Sequence, residues 1–364
     1  MLPTTEERIR YPKSVDPVST DGRDVDTGIA TLEGEGAAQE SPAGDPHLRE
    51  LAPQPWTGVP EVTPADTTYY DRPLLKPSVW GLDIPAYYYL GGAAGAALTL
   101  GAAIQLVSSR GQRELRRVSA ICHWTGIVGS TAGAALLIHD LGRPSRFLHM
   151  MRVFRPASPM NVGVWILGGA APAAITTGLL VRRTGMLGRI GDFAGYLSGI
   201  FGAALAGYTG VLVANTAIPI WQESGQWLPV LFVASSAATA GSVIDILTTD
   251  RHAHRVTRVF GTAGRIGEIA AAKKLEHAAS TVPRVGRPFR SGTAGFLWNT
   301  AAVLTVASLA VSALPVTSPG KRKAAAWLAA AGSLCLRFAV HSLGNASARD
   351  PRAAFQQQRQ GGKA

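Results

Sequence analysis

Charge is scarce in this sequence: 16% of its 364 residues are Asp, Glu, Lys or Arg, whereas 46% are hydrophobic. Water-soluble domains carry about 25% charged residues, so the balance argues against an ordinary soluble enzyme and for a membrane protein. Cysteine is scarcer still. The two present, Cys122 and Cys335, each fall inside an apolar run, and no Cys-x-x-Cys pair occurs. That spacing argues against an iron–sulfur cluster, a zinc site or a disulfide in this chain. The opening residues 1–14 lack an apolar h-region, so no cleavable signal peptide is expected and insertion falls to the first spanning helix.

What is present is a series of apolar runs. Four uncharged ones, at 84–107, 160–181, 193–213 and 292–314, have the length of about 20 residues that crosses a hydrocarbon core. Three more, at 118–138, 227–247 and 324–343, are long enough but carry His123, Asp245, and Arg337 with His341, respectively. The expectation is an all-α polytopic transmembrane helix bundle over 81–345, with seven spans counted from the residues. Gly91 and Gly95, Gly126 and Ser130, and Gly195 and Gly199 repeat at the four-residue spacing that lets helix backbones approach closely. No internal repeat supports the inverted-repeat architecture of many transporters.

Residues 1–80 have 14 acidic against 7 basic side chains, scattered Pro and Gly, and no apolar period. A disordered acidic tail is expected there. Removing its net −7 from the whole-chain +11 leaves +18 on the remainder. Membrane orientation accounts for that excess better than nucleic acid does. With seven alternating spans, the loops holding Arg110, Arg113, Arg116 and Arg117, then Arg182, Arg183 and Arg189, then the basic segment 250–290 share one side. The positive-inside rule makes that side cytoplasmic in a prokaryotic inner membrane and puts the N-terminus outside. The arginines of 143–155 and the run Lys321–Arg322–Lys323 oppose this assignment. Within 250–290, residues 264–280 read as an amphipathic helix lying on the cytoplasmic surface or as a solvated connector; residues 346–364 read as a polar C-terminal tail.

Ionisable residues inside a bilayer are costly and mark function more often than chance, unless they snorkel to water. On the seven-span count His123, Asp245, Arg337 and His341 share the cytoplasmic third, where they would give protons a way in; alternatively Arg337 and His341 snorkel and Asp245 ends its helix. His123 and His341 could also serve as axial ligands of a b-type haem, with His139 and His149 as a second pair.

The stretch "HDLGRPSRFLHMMRVFRPASPM", residues 139–160, closes the second span with His139 and Asp140, and Gly142 and Pro144 stop the helix. Phe147, Leu148, Met151 and Phe154 fall mostly on one face, with Arg146 and His149 on another, as in an interfacial helix. Its arginines could meet lipid phosphates. Equally, the carboxylate and imidazole could exchange protons with a redox ligand whose polar head an arginine holds.

Together with "YTGVLVANTAIPIW" at 208–221 and "LPVLFVASSAATAG" at 228–241, this stretch resembles the NrfD/PsrC family of polysulfide reductase type membrane subunits; "YYYLGGAAGA" at 87–96 adds to the likeness. The resemblance implies a membrane anchor of a respiratory molybdoenzyme complex that binds menaquinone or ubiquinone and holds no haem. Its implied partners are a ferredoxin-like iron–sulfur subunit and a molybdopterin catalytic subunit, with formate dehydrogenase a first guess for the chemistry and no catalysis by this chain alone. The quinone pocket of the family lies near the partner-facing surface, which points to His139 and Asp140 for proton exchange and Arg143 for orientation. Tyr88, Tyr89, Trp165, Tyr208 and Asn215 would add hydrogen bonds or stacking. The family commonly has eight spans, one more than the residues yield. An anchor without quinone chemistry, or a proton or solute transporter, are the alternatives.

Overall fold

The computed structural model describes residues 24–26, 31–33, 74–108, 113–181, 183–248, 251–315 and 318–361. The chain divides into two units, Met1–Glu61 and Val62–Ala364. In the first, β1 (Asp24–Asp26) and β2 (Thr31–Glu33) form an antiparallel ribbon with Val25 opposite Leu32. The acidic stretch expected to be disordered thus contains a short strand pair. The rest of that expectation, up to residue 73, lies outside the described residues.

The second unit is helical: α1 (Asp83–Val107), α2 (Arg113–Asp140), α3 (Pro144–Met151), α4 (Pro159–Leu180), α5 (Gly185–Ala214), α6 (Pro219–Glu223), α7 (Trp227–Leu247), α8 (Arg251–Ser280), α9 (Pro283–Gly286), a 3-10 turn (Arg287–Arg290), α10 (Gly292–Ala313), α11 (Pro319–Ala348) and α12 (Pro351–Gly361). Among the described residues seven helices, α1, α2, α4, α5, α7, α10 and α11, are long and apolar enough to cross a membrane. They coincide with the seven apolar runs. Local chemistry sets their starts. Ser158 accepts the amide of Asn161 ahead of Pro159, and Ser318 accepts the amide of Lys321 ahead of Pro319, so each helix has a capping hydroxyl and a proline in its first turn. Gly142, at φ +71°, turns the chain out of α2.

Helix α1 is central, packing on α2, α5 and α7. The small-residue positions lie at these contacts: a Cβ on Gly95 would come within 2.5 Å of the Gly202 carbonyl oxygen. We call the end of the bundle that carries Asp83, where α1 starts and α2 finishes, the proximal end; the opposite end, where α1 finishes and α2 starts, is the distal end.

Helix α8 departs from expectation. It does not lie across the end of the bundle but runs antiparallel along α7, with Gly261 against Gly241 and Gly264 against Ala238 and Ala234. Thirty residues make it about 45 Å long. Its buried polar side chains face inward: Arg265 donates to Ser308 Oγ (2.6 Å) and Ser312 Oγ (2.9 Å) of α10. Glu268 accepts from Thr305 Oγ1 of α10 (2.7 Å) and Ser333 Oγ of α11 (2.8 Å). Hydropathy averaged over this helix is low because its charges sit at both ends and on the side turned into the bundle, while Val259, Ala263, Ile266 and Ala270 occupy the exposed middle. Consequently α10 starts at the proximal end and α11 returns there, with α12 beyond it.

Candidate functional site

The proximal end holds an aromatic cavity. "YYY" at 87–89 starts one turn into α1; Tyr87 and Tyr88 turn into the bundle and are fully buried, while Tyr89 turns aside toward Thr239. Trp80, just ahead of α1, lies 6.4 Å from Tyr88 edge-on and stacks on Trp221 of α6 at 6.0 Å. Trp221 is fixed by its indole N–H, which donates to the Val340 carbonyl (2.9 Å), and by the missing side chain of Gly344, where a Cβ would overlap its ring. The cavity, of about 20 Å³, is lined by Trp80, Tyr87, Tyr88, Leu137, Met160 and Tyr208 among others. Gly163 explains part of the "SPMNVGVW" pattern, because a side chain there would occupy the space of the Tyr208 ring. Asn161 explains another part. It accepts the Arg155 amide (2.7 Å) and donates to the Val153 carbonyl (3.0 Å), tying the end of the arginine-rich loop to α4.

The polar surroundings are under-satisfied. Among the described residues, the hydroxyls of Tyr87 and Tyr88 are buried without a hydrogen-bond partner, an arrangement that costs about 1–3 kcal/mol per group. Beneath Tyr88, the Phe232 ring separates it from Arg337, whose guanidinium lies 3.9 Å from the ring centroid. Arg337 Nη2 donates to the Phe232 carbonyl (2.9 Å) and Ser236 Oγ (3.0 Å), while its Nε and Nη1 have no partner among the described residues.

The residues singled out in the sequence do not all reach the cavity. Asp140, Tyr88 and Tyr208 come to the cavity or its rim; Asp140 is half-buried and accepts the Gly81 amide at 3.4 Å. His139 sits beside it but faces outward, its Nδ1 hydrogen-bonded to Asp83 Oδ2 at 2.9 Å. Arg143 and Asn215 are exposed, and Asn215 donates to the carbonyl of Val211 in its own helix. Trp165 is 38% exposed and meets Phe154 edge-on, outside the cavity lining.

His123, Asp245, Arg337 and His341 do not form one cluster. Asp245 lies at the distal end, accepting from His254 Nδ1 (2.8 Å) and Thr257 Oγ1 (3.0 Å) with Arg322 Nε at 3.6 Å. Arg337 and His341 follow Arg322 by 15 and 19 residues on α11 and so lie roughly 22 and 28 Å toward the proximal end. His123 is buried in the distal part of α2, its Nδ1 2.9 Å from the Ser119 carbonyl. The expectation failed because α8 runs the length of the bundle and reverses α10 and α11. The same reversal removes the His123–His341 haem pairing, since the two imidazoles lie toward opposite ends. Among the described residues no group of three or more His, Cys, Asp or Glu could hold a metal ion.

Trp80, Tyr87, Trp221, Phe232 and Asn345 were missed by sequence reasoning. Trp80, Trp221 and Asn345 lie outside every apolar run, and Tyr87 and Phe232 look like ordinary bundle residues; the repeated tyrosines were the one available signal.

Seven apolar spans, with a buried aromatic cavity at one end of the bundle, define a multi-pass membrane protein. The profile of the family described as "Polysulphide reductase, NrfD" matches residues 73–260, more than half the chain, and the chain belongs to that family. It is therefore a membrane subunit of the polysulfide reductase type. No curated protein matches the chain.

Proposed function

We propose that this chain binds a membrane quinone at the proximal cavity and exchanges electrons between the quinone pool and an iron–sulfur subunit docked on that end, with a molybdopterin subunit beyond it. The observation that carries this reading is the pair of buried, unpartnered tyrosine hydroxyls in a cavity otherwise walled by aromatic and aliphatic carbon. A flat ring with polar oxygens on opposite edges fits such a lining: carbon faces stack on Trp80, and the Tyr87 and Tyr88 hydroxyls donate to an oxygen. When bound, menaquinone or ubiquinone supplies two-electron chemistry coupled to two protons.

The chain's own residues orient the ring, exclude water and move protons. Asp140 at the rim and His139 next to it on the exposed side are the groups positioned to exchange protons with solvent. Arg143, Arg146 and Arg152, exposed along and beside α3, suit the docking of a partner surface better than contact with the ring. By charge, the proximal end is assigned to the outer face of the membrane. Formate dehydrogenase-type chemistry stays with the catalytic partner.

A second reading, an anchor without quinone chemistry, is favoured by the volume of the cavity, which suits about one water. The transporter reading loses its support with the separation of the four ionisable residues. Electron flow through the purified complex, with and without a quinone-site inhibitor, tests the proposal. Inhibition together with a large fall in quinone turnover in Asp140→Asn is expected. Full turnover in that variant removes the proton-exchange role, and indifference to the inhibitor favours the anchor.

A further inference from the structure

The segment that closes the cavity is held by hydrogen bonds whose direction is fixed. Residues 78–81 cross the proximal end as a strap, with Trp80 pointing down onto Tyr88 and Trp221. Its main tie is Asn345 of α11: the Ser78 amide and hydroxyl both donate to Asn345 Oδ1, at 3.0 and 2.7 Å. A backbone N–H can only donate, so the Asn345 oxygen must face the strap and its Nδ2 must face the other way. There Nδ2 meets His341 Nε2 at 3.1 Å. An amide NH₂ cannot accept, so Nε2 must be the unprotonated nitrogen of a neutral imidazole. The second tie, from the Gly81 amide to Asp140 Oδ1, is longer at 3.4 Å.

Protonation at Nε2 would set two donors against each other. Asn345 could relieve this by rotating its amide, but its NH₂ would then meet the Ser78 N–H, and the strap would lose its main tie. The groups around His341 make a proton there meaningful. Asp140 of α2 acts on it electrostatically, Arg337 lies one turn earlier on the same helix, α6 contributes Trp221, and Tyr88 of α1 lies behind Trp80. His341 itself is buried, 6% exposed, and is brought close to the Trp80 backbone.

We propose that His341 and Asn345 form a proton-read latch on the cavity: neutral His341 holds the Ser78–Trp80 strap closed, and a proton on Nε2 releases it. The purpose of the latch rests on the quinone reading, because a cavity of about 20 Å³ cannot take a ring unless Trp80 moves. A latch of this kind would couple the protons exchanged at Asp140 to admission of the ring. His341 and Asn345 are positioning residues, acting through the strap.

Hydrogen–deuterium exchange of the peptide covering 74–82, in the full chain in lipid nanodiscs and corrected for intrinsic rates, tests the latch without any quinone. In the wild type, protection of this peptide is expected to fall about tenfold, the worth of one or two hydrogen bonds, as pH drops from about 8 to about 5. His341→Gln offers Asn345 an acceptor that does not titrate and should keep the strap protected throughout. Asn345→Ala should leave it unprotected throughout, and Ser78→Ala, which keeps the amide donor, should weaken protection at high pH. Exchange within α7 serves as the folding control. A pH response that persists in His341→Gln, or wild-type protection in Asn345→Ala, overturns the latch. A strap that titrates in a protein that binds no quinone retains the latch and fails only the quinone reading.

Discussion

At the scale of single residues, the chemistry depends on side chains that pay a folding cost. The Tyr88 hydroxyl is buried and unpartnered, so removing it should relieve desolvation and leave stability unchanged or higher by about 1 kcal/mol. If the hydroxyl exists for a ligand, the same change should weaken ligand binding by about tenfold, the worth of one hydrogen bond at the upper end. Tyr88→Phe is therefore expected to raise the apparent KM for a soluble quinone analogue while leaving the thermal midpoint of the purified protein unchanged or higher. A lowered midpoint with unchanged KM would make Tyr88 a packing residue. Proximity in sequence could not reveal this: Tyr87, Tyr88 and Tyr89 are consecutive, yet the helix turns two into the cavity and the third toward Thr239. Asp140 was legible because it interrupts the end of an apolar run. Trp80 was not, because its role comes from stacking on Trp221, more than a hundred positions away.

At the scale of elements, the paired helices depend on backbone proximity. Gly241 faces Gly261, and Gly264 faces backbone atoms of Ala237 and Ala238, so α7 and α8 touch without intervening side chains. Gly264→Val would place carbon against backbone that cannot yield, costing about 1–3 kcal/mol or more. Loss of this contact should also expose the Glu268 region, whose hydroxyl ligands come from α10 and α11. The expected outcome is a thermal midpoint well below that of wild type, measured in detergent, whereas Ala263→Val on the exposed face should change it little. A midpoint unaffected by Gly264→Val would mean that α7 and α8 are not in close contact. The seven spans were readable because uniform apolarity needs no partner to be recognised. Helix α8 was not, because Arg265 and Glu268 are polar in sequence but satisfied by serines and threonines that only the fold brings to them.

At the scale of the whole molecule, α8 decides the topology. Its exposed stripe is apolar from Val259 to Ala270, with Arg255 and Arg258 before it and Lys273, Lys274 and His277 after it. The step of 15 positions from Arg258 to Lys273 covers about 22 Å, and the long side chains at either end can reach the two interfaces. Such a helix suits an eighth crossing, with its two buried ionisable groups turned away from lipid. This crossing moves Lys321, Arg322 and Lys323 to the distal end, beside the basic loops around Arg116 and Arg189, and so removes one of the two conflicts with the positive-inside assignment. It also moves Arg284, Arg287 and Arg290 to the proximal end, which already carries Arg143, Arg146 and Arg152, and these arginines count against the positive-inside assignment. Single cysteines at Arg143, Arg189 and Lys321, in a chain whose Cys122 and Cys335 have been replaced, test this with a membrane-impermeant maleimide applied to intact cells. Eight crossings require positions 189 and 321 to react alike and position 143 to react oppositely. If 321 reacts together with 143, α8 does not cross, and the proximal placement of His341 that the strap latch requires fails with it.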